Sequence, residues 1–227
     1  MYDVIKHYEK NDPAIIEGYR QIGESASILE SMPYKDGALH SRIRAVWKGA
    51  RTCGNALTVV CGIGDNVMLH KAISMAGPGD VLVAVNGFHD EAGGMFGEMM
   101  ASSLKARGAE GIVMEFCNRD SVAIEAMHFP VFSTGLSIKA TTKCCPGLIN
   151  HPIVIGGVCV CPGDLVFADQ DGVVVVPHKD APEVLEKARA REQKERDMRE
   201  NHILKGEYTT FRMFEKAYLE LGLSEEG

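Results

Sequence analysis

No uninterrupted run of lysines and arginines stands anywhere in these 227 residues, and acidic residues outnumber basic ones 31 to 24, for a net charge of −7. Nucleic-acid binding rests on neutralising phosphates, so no nucleic-acid partner is expected. No window reaches transmembrane length, and the first ten residues lack the apolar core of a signal peptide. A cytoplasmic protein with no membrane partner is the expectation. The chain has seven cysteines but no C-x-x-C pair and no Cys/His zinc spacing. Cys144 and Cys145 are adjacent, Cys159 and Cys161 lie two apart, and Cys53, Cys61 and Cys117 are solitary. That pattern argues against a disulfide framework or a zinc module. Reduced thiols used mostly as small apolar residues are expected, with Cys159 and Cys161 on one face of a strand. A third glycine is also missing after Gly62-Ile-Gly64, and no acidic residue closes a following strand, which argues against a nicotinamide site.

What is present reads as an ordinary globular α/β chain, 45% hydrophobic and 24% charged, long enough to bury a substantial core. A helical lead-in covers about residues 12–30, and a turn follows at 32–37. Residues 43–48 and 55–61 alternate or cluster like strands. A helix then runs through Met68, Leu69, Ala72 and Met75. Pro78-Gly-Asp80 and Pro162-Gly-Asp164 each place a turn before an apolar strand. The second phrase continues into a β-hairpin that turns at Asp171-Gly172. Short strands are expected near 130–132 and 152–155. Residues 180–201 form a charged helix with a thin stripe of Val184, Leu185, Ala188 and Met198. The tail carries Phe211, Met213, Phe214, Tyr218 and Leu219 in an amphipathic pattern. No linker interrupts the chain. The expected organisation is one α/β domain over 1–179, with a helical extension over 180–227 that packs on the body or on a neighbouring subunit.

The central stretch carries the chemistry. A loop with glycines at 93, 94 and 97 opens a helix at Glu98 that ends near Gly108. A strand over 112–116 then delivers Asn118-Arg119-Asp120. A helix start exposes unpaired N–H groups and a partial positive charge, so the amides of Glu98, Met99 and Met100 suit a small carboxylate or phosphate. The glycines allow a ligand close to the backbone. Arg119 is suited to clamp the same anion with two parallel hydrogen bonds, or else forms a surface pair with Glu115 or Glu125. Asp120 is either a ligand of a hard divalent cation or an N-cap for the next helix. Glu98 would stand behind the cation as an outer carboxylate and proton carrier.

Glu98, then twenty residues, then Arg119-Asp120 resembles the Gly-Asp/Glu-x20-Arg-Asp motif of the RraA-like family. Within it the chain looks most like the class II pyruvate aldolases that cleave 4-hydroxy-4-methyl-2-oxoglutarate and 4-carboxy-4-hydroxy-2-oxoadipate. Gly64-Asp-Asn-Val-Met-Leu-His70, Pro78-Gly-Asp80, Phe129-Pro-Val131 and the stretch from Pro162 to Pro177 support it, over about residues 20 to 200. The resemblance implies a swivelling β/β/α domain assembled as trimers or hexamers, with active sites between subunits. It implies that Gly97, Glu98, Met99 and Met100 bind the pyruvyl carboxylate, Arg119 holds the oxo-acid substrate, and Asp120 holds Mg²⁺ or Mn²⁺. A glutamate from a neighbouring C-terminal helix completes such sites; Glu195 matches best and Asp197 next. The implied reaction is aldol cleavage to pyruvate with oxaloacetate decarboxylation beside it. A Schiff-base mechanism has Lys71, Lys105, Lys139 and Lys143 to choose from, none in the central stretch's anion pocket. The chain departs from the aldolases at Glu98, often aspartate there, at Asn118, usually valine, and over residues 25–37 and 89–94. The other activity class in the family is non-catalytic: some members bind and inhibit a ribonuclease.

Overall fold

The computed structural model describes residues 3–86, 93–207 and 209–223. Its contacts divide the chain into two compact units, 1–188 and 189–227.

The first unit opens with β1 (Asp3–Val4), then α1 (Pro13–Arg20) and α2 (Ser25–Ser31). Asp12 caps α1 by accepting from the Ala14 amide at 2.7 Å, and Pro13 follows at the first helical position, where its missing N–H costs nothing. The expected lead-in is therefore two helices, separated at residues 21–24. Next come β2 (Arg44–Ala45), β3 (Thr52–Val60), α3 (Val67–Met75) and β4 (Asp80–Val85). The strand expected over 43–48 is only two residues long, because the chain turns at Trp47, whose indole donates to the Phe129 carbonyl at 2.8 Å. Then follow β5 (Gly94–Phe96), α4 (Glu98–Ala106), β6 (Gly111–Met114), β7 (Cys117–Asn118), α5 (Ser121–Ala126), β8 (Val131–Ser133) and β9 (Gly135–Leu136). The unit closes with β10 (Leu148–Ile149), the hairpin β11 (Ile153–Ile155) and β12 (Val158–Val160), the hairpin β13 (Leu165–Ala168) and β14 (Val173–Val176), and the start of α6 (Ala181–Met198).

Parallel strands β3, β4, β6 and β8 form the centre of the main sheet, and β13 pairs antiparallel with the first half of β3. Alternation along the strands sorts side chains into layers. Leu82 and Ala84 of β4 face α3 and α4 in one core, with Leu69, Ala72 and Leu104. Val81, Val83 and Val85 face the other way, against Ile153, Ile155, Val166 and Val175 of the two hairpins. A third core lies between the β13–β14 hairpin and α1, α2 and the start of α6, with Tyr19, Phe167, Val184 and Leu185. Helices, sheet and a second β layer thus stack in the mixed α/β order the resemblance implies.

The two Pro-Gly-Asp turns are built alike. Gly79 and Gly163 take φ of +79° and +87°, and Asp80 and Asp164 accept from the amide three residues back at 3.0 and 2.8 Å. Left-handed backbone of this kind is where a side chain is strained and glycine is not. The hairpin turn expected at Asp171-Gly172 is present, with Asp169 accepting from both amides.

The cysteines depart from expectation. Cys53, Cys61 and Cys117 are buried, and burial pushes the Cys53 and Cys61 thiols up to about 12. Cys144, Cys159 and Cys161 are exposed and Cys145 is half-buried, so the two close pairs are not core residues.

In the second unit, the rest of α6 continues into a π-turn at Arg199–Ile203, followed by a 3₁₀ turn at Thr210–Met213 and α7 (Glu215–Glu220). Phe211 and Tyr218 stack edge to face at 5.2 Å, while Phe214, Leu219 and Leu221 are exposed. No helix of the described residues is long and apolar enough to cross a membrane.

Candidate active site

Two strand-to-helix corners lie side by side. β5 enters α4 through Gly97, and β7 enters α5 through Arg119 and Asp120. β5 and β7 run parallel in a small sheet completed by β9, and the Arg119 amide extends that ladder to the Phe96 carbonyl at 2.9 Å. Both helix starts therefore open toward the same end of the small sheet, the end where α/β folds gather ligands. The sequence pattern predicts that one strand over 112–116 delivers Asn118-Arg119-Asp120 at its end. Instead the chain leaves the main sheet at buried Phe116 and joins the small sheet before delivering them.

Asp120 takes left-handed backbone, φ 58° and ψ 35°, and its side chain does not cap α5. Its Oδ2 instead accepts from the Glu98 amide at 3.1 Å and lies 3.6 Å from Arg119 Nε. Gly97 has extended backbone that any residue adopts; its glycine is needed for space. A Cβ there would stand 2.4 Å from Asp120 Oδ2 and 3.0 Å from Arg119 Cγ. At Gly94 a Cβ would meet the Ser137 carbonyl at 2.1 Å.

Stability does not account for this geometry. The Arg119 and Asp120 side chains are 46% and 42% exposed, and exposed ion pairs contribute about 0–1 kcal/mol. A non-glycine residue held in left-handed backbone costs on the order of 1–3 kcal/mol. The plain helix-cap reading of Asp120 and the Arg119–Glu115 surface pair both fail. Glu115 is buried and paired with Arg42, and accepts from the Gly156 amide.

Of the predicted amide donors, Glu98 N–H is taken by Asp120, and Met100 N–H donates to the Gly97 carbonyl at 3.1 Å. Met99 N–H donates to no acceptor among the described residues. Met99 is 80% exposed, and Met100 is buried. Glu98, Arg119 and Asp120 are thus brought together at the start of α4. Glu195 lies in the second unit, where it pairs with Arg191 at 2.8 Å and lines a cavity of about 420 Å³ with Met198 and Met213. Asp197 accepts from Asn201 at 2.6 Å. Within residues 89–94, positions 89–92 lie outside the described residues.

Sequence reasoning missed three features. Asn118 is fully buried, and neither atom of its amide has a hydrogen-bond partner among the described residues. Asn66 donates to the Met95 carbonyl at 2.9 Å and reaches Met100 Sδ at 3.7 Å, bracing β5 and α4 from behind. Asp65, just before it, accepts from the amides of Cys144 (2.6 Å) and Cys145 (3.1 Å), the Thr142 hydroxyl (2.7 Å) and the Val67 amide (3.0 Å). Burial works to raise the Asp65 pKa, but those donors outweigh it and hold the carboxyl at about 2. No local signal joins Asp65 to partners 77 to 80 residues away.

Asp65, Cys144 and Cys145 are also close enough to hold a metal ion. The carboxylate's acceptor positions are already spent on four donors, and hard cations prefer oxygen to sulfur. Asp120 is the more open oxygen donor, since its contacts with the Glu98 amide and Arg119 leave the rest of an exposed carboxylate accessible.

The family model for Aldolase/RraA matches residues 21–175. The chain belongs to the RraA-like family. A protein of Halalkalibacterium halodurans named "Putative 4-hydroxy-4-methyl-2-oxoglutarate aldolase" is 37% identical over 154 residues, 68% of this chain and 73% of its own. Among solved structures, an uncharacterized protein from Pseudomonas syringae superposes with a TM-score of 0.77 at 28% identity, covering 91% of this RraA-like chain and 98% of its own. RraAS2 of Streptomyces coelicolor, titled an unusual member of the RNase ES inhibitor RraA protein family, superposes with a TM-score of 0.75 at 27% identity. It covers 86% of this chain and 100% of its own.

Proposed function

We propose that this RraA-like chain is a divalent-metal-dependent lyase. It cleaves a 4-hydroxy-2-oxo di- or tricarboxylic acid to pyruvate and a second keto acid, and decarboxylates oxaloacetate as a side activity. The observation that carries this reading is the convergence of Glu98, Arg119 and Asp120 on the start of α4, with Asp120 held there by strained backbone. The name of the H. halodurans relative points the same way.

Charge makes the case for a cation. Asp120 already sits at the helix start, so a substrate carboxylate arriving at Met99 N–H meets a like charge. Two such charges about 4 Å apart repel by roughly 4 kcal/mol at an effective dielectric of 20. Arg119 offsets part of that. Asp120, a hard oxygen donor, would hold Mg²⁺ or Mn²⁺, which when bound supplies Lewis acidity toward the 2-keto oxygen.

The chain's own residues do the rest. The Met99 amide, the one of the three predicted donors left open, holds the pyruvyl carboxylate, and the Arg119 guanidinium fixes the substrate by a two-point contact. Glu98 accepts the proton of the C4 hydroxyl as the C3–C4 bond breaks, and a proton returns to C3 of the pyruvate enolate. Met99, Val122, Leu136 and Ile138 border this site and are 61–95% exposed. Apolar rims of that kind suit a face covered by another subunit. We propose that the active site lies between subunits of a homotrimer or hexamer and is completed by a carboxylate from a neighbouring C-terminal helix, Glu195 or else Asp197.

A second reading, a non-catalytic ribonuclease regulator, is favoured by the likeness to RraAS2. A coupled pyruvate-release assay over a panel of 4-hydroxy-2-oxo acids, with EDTA or Mg²⁺, separates the two. Metal-dependent pyruvate release is expected. No turnover on any substrate, together with inhibition of a ribonuclease of that class, overturns the aldolase reading.

A further inference from the structure

Beside the candidate site lies a pair of thiols with no part in the proposed chemistry. Cys144 is exposed, Cys145 is half-buried, and their sulfur atoms lie within 4.8 Å of each other. Their consecutive amides point at one oxygen of Asp65, a nest of N–H groups around a buried anion. The same carboxylate holds Thr142, whose carbonyl accepts from the Asn66 amide at 3.2 Å and whose own amide donates to Gly64. Asn66 in turn braces Met95 and Met100. One clasp therefore joins the dithiol to the wall of the site.

We propose that Cys144–Cys145 is an oxidative modification site, a vicinal dithiol that a low-molecular-weight disulfide closes, releasing the Asp65 clasp and loosening the start of α4. The exposed Cys144 thiolate attacks one sulfur of the small disulfide and expels one small thiolate. The Cys145 thiol, giving up its proton, then attacks Cys144 Sγ in the mixed disulfide and expels the second. Two protein thiols become one disulfide, and one small disulfide becomes two thiols.

The new ring contains the 144–145 peptide bond. Closing it reorients the two amides, which then no longer both meet Asp65 Oδ2. Side-chain movement cannot absorb the change, because Cys145 already packs tightly on the backbone. A Cβ on Gly62 would stand 2.5 Å from Cys145 Cβ. Asp65 is buried and would lose two of its four donors, a large loss for a charged group. The other close pair, Cys159 in β12 and Cys161 just after it, is exposed and holds nothing at the site, so the test removes it to leave Cys144–Cys145 as the exposed dithiol.

The test uses the full chain carrying Cys159→Ser and Cys161→Ser, treated with oxidised glutathione. Intact mass and peptide mapping should show loss of two hydrogens with a 144–145 link, reversed by dithiothreitol. Hydrogen exchange should quicken roughly tenfold or more at residues 142–145 and in the first turn of α4. Adding Cys144→Ser should abolish both effects. Three results overturn the proposal: an unchanged mass, a stable glutathione adduct on Cys144 that never resolves, or ring closure with unchanged exchange at α4. The readouts do not use catalysis, so they stand whether or not the chain is an aldolase.

Discussion

Gly97 and Asp120 occupy one another's space: a single methyl on the glycine would stand 2.4 Å from the carboxylate oxygen of the aspartate. The Cβ that Gly97 lacks is what lets Asp120 reach back across to the neighbouring helix start. Gly97→Ala should therefore displace Asp120 without disturbing the extended backbone at 97. Turnover is expected to fall on the order of 10²-fold, as for loss of one aligned polar group, while the melting temperature moves by only a few degrees. A variant with normal turnover separates Asp120 from function.

Arg119 and Asp120 should fail in different ways. Arg119→Lys keeps the charge but loses the two-point geometry, so pyruvate release should drop about 10²-fold or more with metal affinity little changed. Asp120→Asn should lose metal response and turnover together. Isothermal titration with Mn²⁺ beside the pyruvate assay reads both, and matching losses in the two variants would contradict the division of roles.

Glu98 tests proton transfer. Its amide, not its carboxylate, contacts Asp120, leaving the side chain exposed at the site. Glu98→Gln should lower turnover by about 10²- to 10⁴-fold and metal affinity by at most about 10- to 100-fold. Glu98→Asp should keep partial activity. Near-normal turnover of the Gln variant at saturating metal removes Glu98 from the mechanism.

Asp65 makes a prediction about acid. The carboxyl titrates near 3.8 in the unfolded chain and near 2 in the folded one. Between those values the unfolded state binds more protons, so stability from this group is complete above about pH 4 and is lost as pH falls toward 2. Asp65→Asn should lower the melting temperature at neutral pH and flatten its decline over that window. An unaltered acid slope in the variant would assign the decline to other groups.

Local chemistry alone determined a good deal here. Asp12-Pro13 starts a helix, two Pro-Gly-Asp turns each launch a strand, and Asp171-Gly172 turns a hairpin, all from contacts within about four residues. The spacing of Glu98 from Arg119-Asp120, and with it the family, is likewise written in the chain. Tertiary structure decided how those residues meet. The parallel pairing of β5 with β7 sets the two helix starts side by side, and the left-handed turn at Asp120 swings its carboxylate onto the wrong helix for a cap. Four cysteines composed like core residues lie at or near the surface, and Asp65 finds Cys144 across 79 residues. Parallel strands have no local turn to announce their partner, and a buried carboxylate takes its donors from whatever chain passes. Such pairings become visible only once the layers have packed.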